Sequence, residues 1–233
     1  TEGIFAPWAI YKEDFQKIGG HDPLFAPQSK EDSDIFNRFI LAGYEVVQTR
    51  KGCVYHMTCR GSRFADGAKR NPDGQVFMKN RETDEWLTQN VRSTRNFIRK
   101  WGTMVEHDEY LKPIITPMYS IGYELTEAAD VNTIGNLEPY CQYMVVPAEQ
   151  EIKQYIEQEQ PNTQYNLSEK FGTRVPDSPI YDIKVVFNPW ELTQQSFQIL
   201  TQLPKIIKDS GEEGQRFQLD IFDIWIEQMV EHQ

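Results

Sequence analysis

The spacing of apolar positions divides the first third of the chain into short elements. Gly3–Tyr11 is largely apolar and predicts a strand, and Lys12–Gly20 predicts a two-turn helix that ends at two glycines. Residues 34–42 place their apolar side chains on one side and predict a second helix. Residues 44–49 and 52–58 then predict two more strands. The beginning of the chain therefore mixes short helices with extended segments.

The pattern changes between residues 60 and 101. Residues 60–84 have no hydrophobic period and predict a mobile loop, whereas Glu85–Trp101 predicts a helix. The stretch Arg60–Lys100 contains ten lysines and arginines and five acidic residues. A basic loop and helix can close over a diphosphate as a lid, and an ordinary solvated surface explains the same charges equally well.

Strands and helices alternate in the second half of the chain, after a polar boundary at Glu106–Pro113. This alternation predicts a compact α/β or α+β domain. We therefore expect two domains, at residues 1–112 and 113–233. The predicted strands cover residues 118–125, 140–146, 181–187 and 215–227, and the predicted helices cover residues 131–139, 149–159 and 191–209.

The composition limits the class of protein. With 233 residues, 39% of them hydrophobic, the chain is long enough to bury one large core or two smaller ones. No apolar run approaches the roughly 18 residues that a membrane-spanning helix needs, so we expect no membrane span. Three cysteines do not make a disulfide framework, which fits a reducing cytoplasm.

The charge is unevenly distributed along the chain. Residues 1–112 have 17 Lys and Arg against 16 Asp and Glu, a net +1, and residues 113–233 have 7 against 19, a net −12; together they give the −11 of the whole chain. This asymmetry indicates two units with different partners. Because binding to phosphates needs concentrated positive charge, the acidic half argues against a nucleic-acid partner.

Three carboxylates stand at the start of the second predicted helix, on Glu31, Asp32 and Asp34. Asp32-Ser33-Asp34 is a D-x-D sequence, a spacing that binds Mg²⁺ or Mn²⁺ through oxygen ligands, although polar residues rather than a buried strand precede it. Capping by Asp32 or Ser33 is a second interpretation, since acids in the first turn also favour the helix dipole. A catalytic base is the third, because such a carboxylate stays ionised and can take a proton from a hydroxyl.

An ordered series of motifs surrounds these acids within residues 1–65. The series consists of Ile18-Gly19-Gly20-His21-Asp22, Glu31-Asp32, Asp34, Arg38, Ala42-Gly43-Tyr44 and His56. In order and spacing it resembles the acceptor half of family-2 glycosyltransferases of the GT-A type. The sequence after His56 is similar to glycosyltransferases of large marine phages.

The resemblance implies a fold and an activity. Residues 1–112 would be the acceptor-side, C-terminal portion of a GT-A nucleotide-diphospho-sugar transferase domain, and residues 113–233 a smaller α/β or α+β accessory domain. The implied activity is an inverting, hexosyltransferase-like transfer of a sugar from a nucleotide-sugar donor to a hydroxyl of a saccharide, lipid or protein acceptor. The implied location is the cytoplasm, including that of a virus-infected bacterial host.

The resemblance also implies roles for individual residues. Asp32 matches the family's catalytic base, and Glu31 would bind the acceptor or orient that base. His56 matches a position that completes the coordination of a metal or contacts the diphosphate. Arg60 and Arg63 lie in the next loop, where guanidinium groups would hold the leaving diphosphate.

Four further residues are expected on the substrate side. They are Trp8, Gly20, His21 and Asp34. Trp8 offers a surface on which a sugar could stack, although a tryptophan in an apolar strand more often packs in the core. His21 stands where the family has an aromatic residue, so we expect it to pack or to contact the acceptor.

The nucleotide-binding half of the family precedes its acceptor half, so the resemblance further implies that this chain is a fragment. Mn²⁺ or Mg²⁺ is the expected cofactor and would need that donor half. The alternative function is a non-catalytic saccharide-binding or assembly module, such as a viral structural subunit derived from a transferase fold.

Overall fold

The computed structural model describes residues 7–27, 29–52, 69–70, 76–77, 84–175 and 180–232. The chain divides into two compact units. Residues 1–93 and 107–113 belong to the first unit, and residues 94–106 and 114–233 belong to the second. The sequence predicted one boundary, after residue 112. The structure instead divides the chain at three points: after residue 93, which lies within a helix, after residue 106 and after residue 113.

Both units contain helices and strands. The helices are α1 (Lys12–Lys17), α2 (Glu31–Leu41), α3 (Asp84–Trp101), α4 (Val131–Leu137), α5 (Glu149–Glu159) and α6 (Gln194–Ser210). The strands are β1 (Lys69–Arg70), β2 (Val76–Phe77), β3 (Ile121–Leu125), β4 (Tyr143–Val145), β5 (Phe171–Gly172), β6 (Ile183–Phe187), β7 (Arg216–Leu219) and β8 (Phe222–Ile226). All six predicted helices are confirmed, each to within three residues at either end.

An aromatic core holds the first unit together around α2. Phe36 and Phe39 are buried on one side of this helix. The Trp8 ring meets them edge-on, with centroid distances of 5.9 and 6.1 Å. Edge-to-face contacts of this kind stabilise beyond the area that they bury. The predicted apolar stripe of α2 therefore forms the core of this unit.

Two strands predicted for the first unit do not form in the described residues. Residues 7–11 and 44–49 have no strand pairing. These predictions were wrong because Trp8, Tyr44 and Val46 pack on the apolar side of α2 instead of on a sheet. Residues 3–6 and 53–58, which the strand predictions also covered, lie outside the described part of the chain.

The predicted mobile loop at residues 60–84 falls mostly outside the described residues. What is described there is a short antiparallel pair, with Lys69 opposite Phe77 and Arg70 opposite Val76. The idea of a basic lid therefore stays a prediction.

A mixed six-stranded sheet forms the second unit, in the order β5-β4-β3-β6-β8-β7. The first four of these strands are parallel, and β8 runs antiparallel to both β6 and β7. Parallel neighbours need a crossover connection, and α4 supplies one between β3 and β4 while α5 supplies one between β4 and β5. The predicted α/β class is confirmed.

One face of the sheet carries the main core of the second unit. Along β6 the buried residues alternate with half-buried ones, as expected for a strand whose two faces differ. Helices α4, α5 and α6 all contribute to the same core cluster. Its fully buried members include Tyr123, Ile134, Leu137, Met144, Ile183, Val185, Leu203, Ile207, Phe222 and Ile224.

The end of the chain departs from the prediction of one long strand over residues 215–227. The segment is a hairpin, in which Leu219 of β7 pairs with Phe222 of β8. Asp220 takes a left-handed φ of 54° and turns the chain. Aspartate tolerates this conformation better than most residues, so the turn forms within an otherwise strand-like pattern.

A buried ion network joins the C-terminal part of α3 to the elements around α5. The Arg99 side chain is 1% exposed and donates to Glu138 at 2.6 Å and to Glu159 at 2.8 Å. Lys170 contacts the other oxygen of Glu138 at 2.5 Å, and the Tyr155 hydroxyl donates to Glu138 at 2.9 Å. This network explains why the second half of α3 groups with the second unit.

The charges of this network control the ionisation of Glu138. Burial alone would raise the pKa of the Glu138 carboxyl, but Lys170 and Arg99 hold it down to about 2. The carboxylate therefore stays ionised inside the protein.

None of the described helices is long and apolar enough to cross a bilayer.

Replacing Arg99 with alanine tests this network. The change leaves Glu138 and Glu159 without their main buried partner, so we expect the free energy of unfolding to fall by about 3–5 kcal/mol in urea titrations. Lys153→Ala is the control, because Lys153 pairs with Glu149 on the surface and its loss should have no measurable effect. If Arg99→Ala and Lys153→Ala lowered the free energy of unfolding equally, the stabilising role of the buried network would be contradicted.

The low pKa of Glu138 predicts an acid-sensitive contribution to stability. Its folded pKa of about 2 lies below the ordinary value of 4.5, so the contribution is present above pH 4.5 and is lost as the pH falls towards 2. Glutamine cannot ionise. The difference in unfolding free energy between the wild type and Glu138→Gln should therefore shrink over this range, and a difference independent of pH would refute the explanation.

Candidate functional site

A Gly-Gly turn follows α1 and requires glycine at both positions. Gly19 and Gly20 have φ values of 87° and 67°. A side chain on Gly20 would also meet the Phe15 ring, because a Cβ there would lie 3.1 Å from Cε1. The amides of Gly19 and Gly20 donate to the carbonyls of Gln16 and Phe15 and close the turn. Gly20, predicted on the substrate side, thus also has a structural requirement.

The Arg38 side chain ties this turn to α2. Its Nε donates to Asp34 at 2.9 Å, while its two terminal nitrogens donate to the carbonyls of Ile18 at 2.7 Å and Gly20 at 2.6 Å. A planar guanidinium is suited to such a fork of partners, whereas a lysine ammonium is not. We call Arg38, Asp34 and these two carbonyls the Arg38 clamp. The clamp fixes His21, next along the chain, relative to the start of α2.

The segment that leads into α2 is held in an unfavourable conformation. Ser29 and Lys30 have φ values of 80° and 74°, in the left-handed region that residues other than glycine rarely adopt. Lys30 is the N-cap residue and no side chain caps the helix. The predicted cap by Asp32 or Ser33 is therefore wrong, because α2 begins at Glu31 and both residues lie inside its first turn. Such strain is concentrated at functional sites in many proteins.

The three acids of α2 have three different environments. Asp34 is fully buried and is engaged by Arg38. Asp32 is half-buried. Glu31 is also half-buried, but its Oε2 atom is shielded from solvent and accepts no hydrogen bond from any described residue. Of the three, Asp34 has a structural partner, Glu31 has one carboxylate oxygen that is shielded from solvent, and the half-buried Asp32 is the one that a ligand could reach.

The ionisation of Asp32 is set by two opposing effects. Burial raises the pKa of its carboxyl, and the nearby charge of His21 lowers it, with a net increase above the ordinary value. A carboxylate with a raised pKa is a stronger base than a solvated one. At Lys30, two positions earlier, burial lowers the pKa and Glu31 partly offsets that decrease. The start of α2 is thus a partly desolvated group of ionisable residues.

His21 and Trp8 lie together beside this group. The exposed His21 ring approaches Trp8 edge-on at 6.1 Å and Phe15 at 5.6 Å between ring centroids. Trp8 is half-buried and also contacts Phe36 and Phe39 in the core. The packing role that the sequence left open for Trp8 is therefore present, and its partly exposed surface still leaves contact with a sugar as a prediction.

The D-x-D interpretation requires two carboxylates on one ion. Asp32 and Asp34 are two residues apart on a helix, and side chains at that separation do not face each other. Asp34 is moreover engaged by Arg38. Among the described residues, no three His, Cys, Asp or Glu side chains converge as a metal site. These two aspartates therefore do not fit the role of a shared metal-binding pair.

Three residues of the predicted site are not described. His56, Arg60 and Arg63 lie outside the described residues. Their expected contacts with a metal or a diphosphate, and the expected Mn²⁺ or Mg²⁺, therefore stay predictions. The described part of the site consists of Trp8, Gly20, His21, Glu31, Asp32 and Asp34.

Two features of the site were not found from the sequence. The strained backbone at Ser29 and Lys30 had no signal, because serine and lysine are not typical of positive φ. The clamp made by Arg38 had a partial signal, since Asp34 and Arg38 are four residues apart on one helix face. Its two contacts with carbonyls about twenty residues earlier in the chain were not visible.

Comparison with known proteins adds no assignment. No family model matches the chain, and no curated protein or solved structure matches it either. A functional assignment therefore depends on the geometry of the described residues and on the motifs of the sequence.

Replacing Arg38 with lysine tests the clamp. One ammonium group cannot reproduce the fork to Asp34 and two carbonyls, so the Gly-Gly turn should open more easily. We expect the amides of Gly19 and Gly20 to exchange with solvent about tenfold faster or more by hydrogen-exchange NMR. Arg174→Lys changes an exposed arginine of the second unit and should leave these rates unaltered. Unchanged rates in Arg38→Lys would contradict the clamp.

Proposed function

We propose that this chain supplies the acceptor side of an inverting glycosyltransferase, in which Asp32 is the catalytic base. The observation that carries the proposal is the environment of Asp32. It is half-buried in the first turn of α2, and its carboxyl has a raised pKa beside His21. The order of motifs from Ile18 to Tyr44 and their resemblance to glycosyltransferases also support it.

The proposed step is a single displacement at the anomeric carbon of the donor sugar. The acceptor hydroxyl gives its proton to the Asp32 carboxylate as its oxygen forms a bond to that carbon. The bond between the carbon and the donor's diphosphate oxygen breaks, and the nucleoside diphosphate leaves with that electron pair. General-base catalysis of this kind contributes about 10²–10⁴-fold to the rate.

Glu31 is proposed to hold the acceptor. Its Oε2 atom is shielded and accepts no hydrogen bond from the described residues. A substrate hydroxyl could reach this oxygen only after the side chain moved, so the resemblance is what supports the role of Glu31. Asp34, by contrast, is assigned to the Arg38 clamp and not to the substrate.

The donor side is assigned to no described residue. Mn²⁺ or Mg²⁺, if bound as the resemblance implies, would neutralise charge on the leaving diphosphate. His56, Arg60 and Arg63 are the residues of this chain that we propose for contacts with that group.

Comparing Asp32→Asn with Asp34→Asn separates a catalytic acid from a structural one. Because the folded protein raises the pKa of Asp32, its ionised form costs stability at neutral pH, and Asp32→Asn should melt at the same or a higher temperature. The same variant should release nucleoside diphosphate from UDP-, GDP- or dTDP-sugars at least about 100-fold more slowly. Asp34→Asn weakens the clamp and should lower the melting temperature.

The assay uses the protein of the complete reading frame, with Mn²⁺ and with saccharide acceptors. Turnover that survives Asp32→Asn would sink the assignment of the base. Saccharide binding without any release of nucleoside diphosphate by the wild type would instead favour the non-catalytic binding module.

A further inference from the structure

A small cleft opens in the second unit, among residues that the proposed transfer step does not use. It lies between residues 103–106, which come directly after α3 and Gly102, the residue Thr116, and the exposed side of α6. Its volume is about 250 Å³. This is just below the roughly 300 Å³ at which pockets for drug-sized ligands begin, and it corresponds to about eight water molecules at liquid density. The cleft therefore suits a ligand of one small ring.

The hydroxyl of a largely buried threonine lines this cleft. Thr116 is 8% exposed, and its side chain forms no hydrogen bond with any described residue. Its oxygen is not one of the fully shielded, unpartnered atoms of the described residues, so it can be reached from solvent. Thr103 and Gln202 also line the cleft and form no side-chain hydrogen bonds within the described part of the chain. The lining thus offers two hydroxyls and one amide to an occupant.

Two oppositely charged side chains lie close together in the lining of the cleft. Lys205 Nζ lies 3.6 Å from Glu106 Oε1, and the two side chains are 50% and 37% exposed. The separation exceeds that of a good hydrogen bond, so the pair interacts weakly. Both groups retain capacity to bind hydroxyls, Lys205 as a donor and Glu106 as an acceptor. Their charges cancel, so the cleft offers polar groups without a net charge.

We propose that this cleft binds one neutral sugar ring of a saccharide. A sugar presents hydroxyls that both donate and accept, which matches the mixed lining of Thr103, Thr116, Gln202 and the Lys205–Glu106 pair. An anion or a cation would satisfy one member of that pair and face repulsion from the other. No aromatic side chain is among the described residues that line the cleft, so stacking of a nucleobase has no support here.

The proposal stands on the lining of the cleft and does not depend on transferase activity in the first unit. If both assignments hold, the second unit adds a saccharide contact remote in sequence from Asp32. If the first unit is not catalytic, the cleft still predicts saccharide binding. The two assignments can therefore fail separately.

Saturation-transfer difference NMR on the full chain tests the proposal. The probes are the methyl glycosides of glucose, galactose, mannose and N-acetylglucosamine, each at millimolar concentration, with glycine and alanine as zwitterionic comparisons. We expect signals from at least one glycoside and none from the amino acids. Since the sugar is neutral, its affinity should be the same at low and at high salt concentration.

Thr116→Val removes the hydroxyl and keeps the shape of the side chain. We expect the binding of the glycoside to weaken about fivefold or more, as for the loss of one hydrogen bond. Gln202→Ala, at an exposed position of α6, should weaken the binding of the same glycoside without any effect on folding. Thr173→Val, a change at an exposed threonine of the second unit outside the cleft, should leave binding unaltered.

Three outcomes would overturn the proposal. They are no signal from any glycoside, a glycoside signal that is insensitive to both Thr116→Val and Gln202→Ala, and a Thr116-dependent signal from the amino acids alone. The last would mean that the charge pair binds a zwitterion. Loss of nucleoside diphosphate release in Asp32→Asn bears only on the first unit and leaves this test unaffected.

Discussion

The candidate site depends on a single guanidinium. Arg38 donates to the fully buried Asp34 and to two carbonyls of the Gly-Gly turn, and so it holds two separate pieces of backbone, the turn and α2, in one arrangement. Burying an acidic side chain such as that of Asp34 is costly without a partner of this kind. Since His21 follows the turn directly and Asp32 lies in the first turn of α2, the clamp also sets the distance between these two ionisable groups.

The second unit uses a buried arginine for a similar purpose. Arg99 joins α3 to Glu138 and Glu159, with Lys170 and Tyr155 completing the network. In both units an arginine on a helix fixes that helix to segments distant in sequence. The two neighbourhoods differ, because the Arg99 network encloses its charges, whereas Asp32 beside the Arg38 clamp is only half-buried.

The helices and the presence of an acidic site could be predicted from the sequence, because both depend on local spacing. The 3.6-residue period gave α2 and α5 correct bounds to within a few residues, and the cluster Glu31, Asp32 and Asp34 is visible by inspection. The strands predicted at residues 7–11 and 44–49 failed because tertiary packing on α2 overrides a local preference for extended structure.

The different roles of the three acids could not be predicted from spacing. Whether a carboxylate is paired, half-buried or left without a donor depends on residues brought together by folding. Asp34 is distinguished by Arg38, and Asp32 by burial and by His21, eleven positions earlier in the chain. Likewise, Arg99 and Glu138 are 39 residues apart, and no local pattern links them. These environments are consequences of the fold, whereas the acids themselves are a property of the sequence.

The most direct test of the central claim is the pH dependence of kcat/KM for nucleoside diphosphate release, in the wild type and in His21→Phe. The acid side of such a profile reports the pKa of an essential base in the free enzyme. His21 lowers the pKa of Asp32, so its removal should raise that pKa and move the acid limb to higher pH. An acid limb at the same pH in both proteins would contradict the assignment of Asp32 as the base.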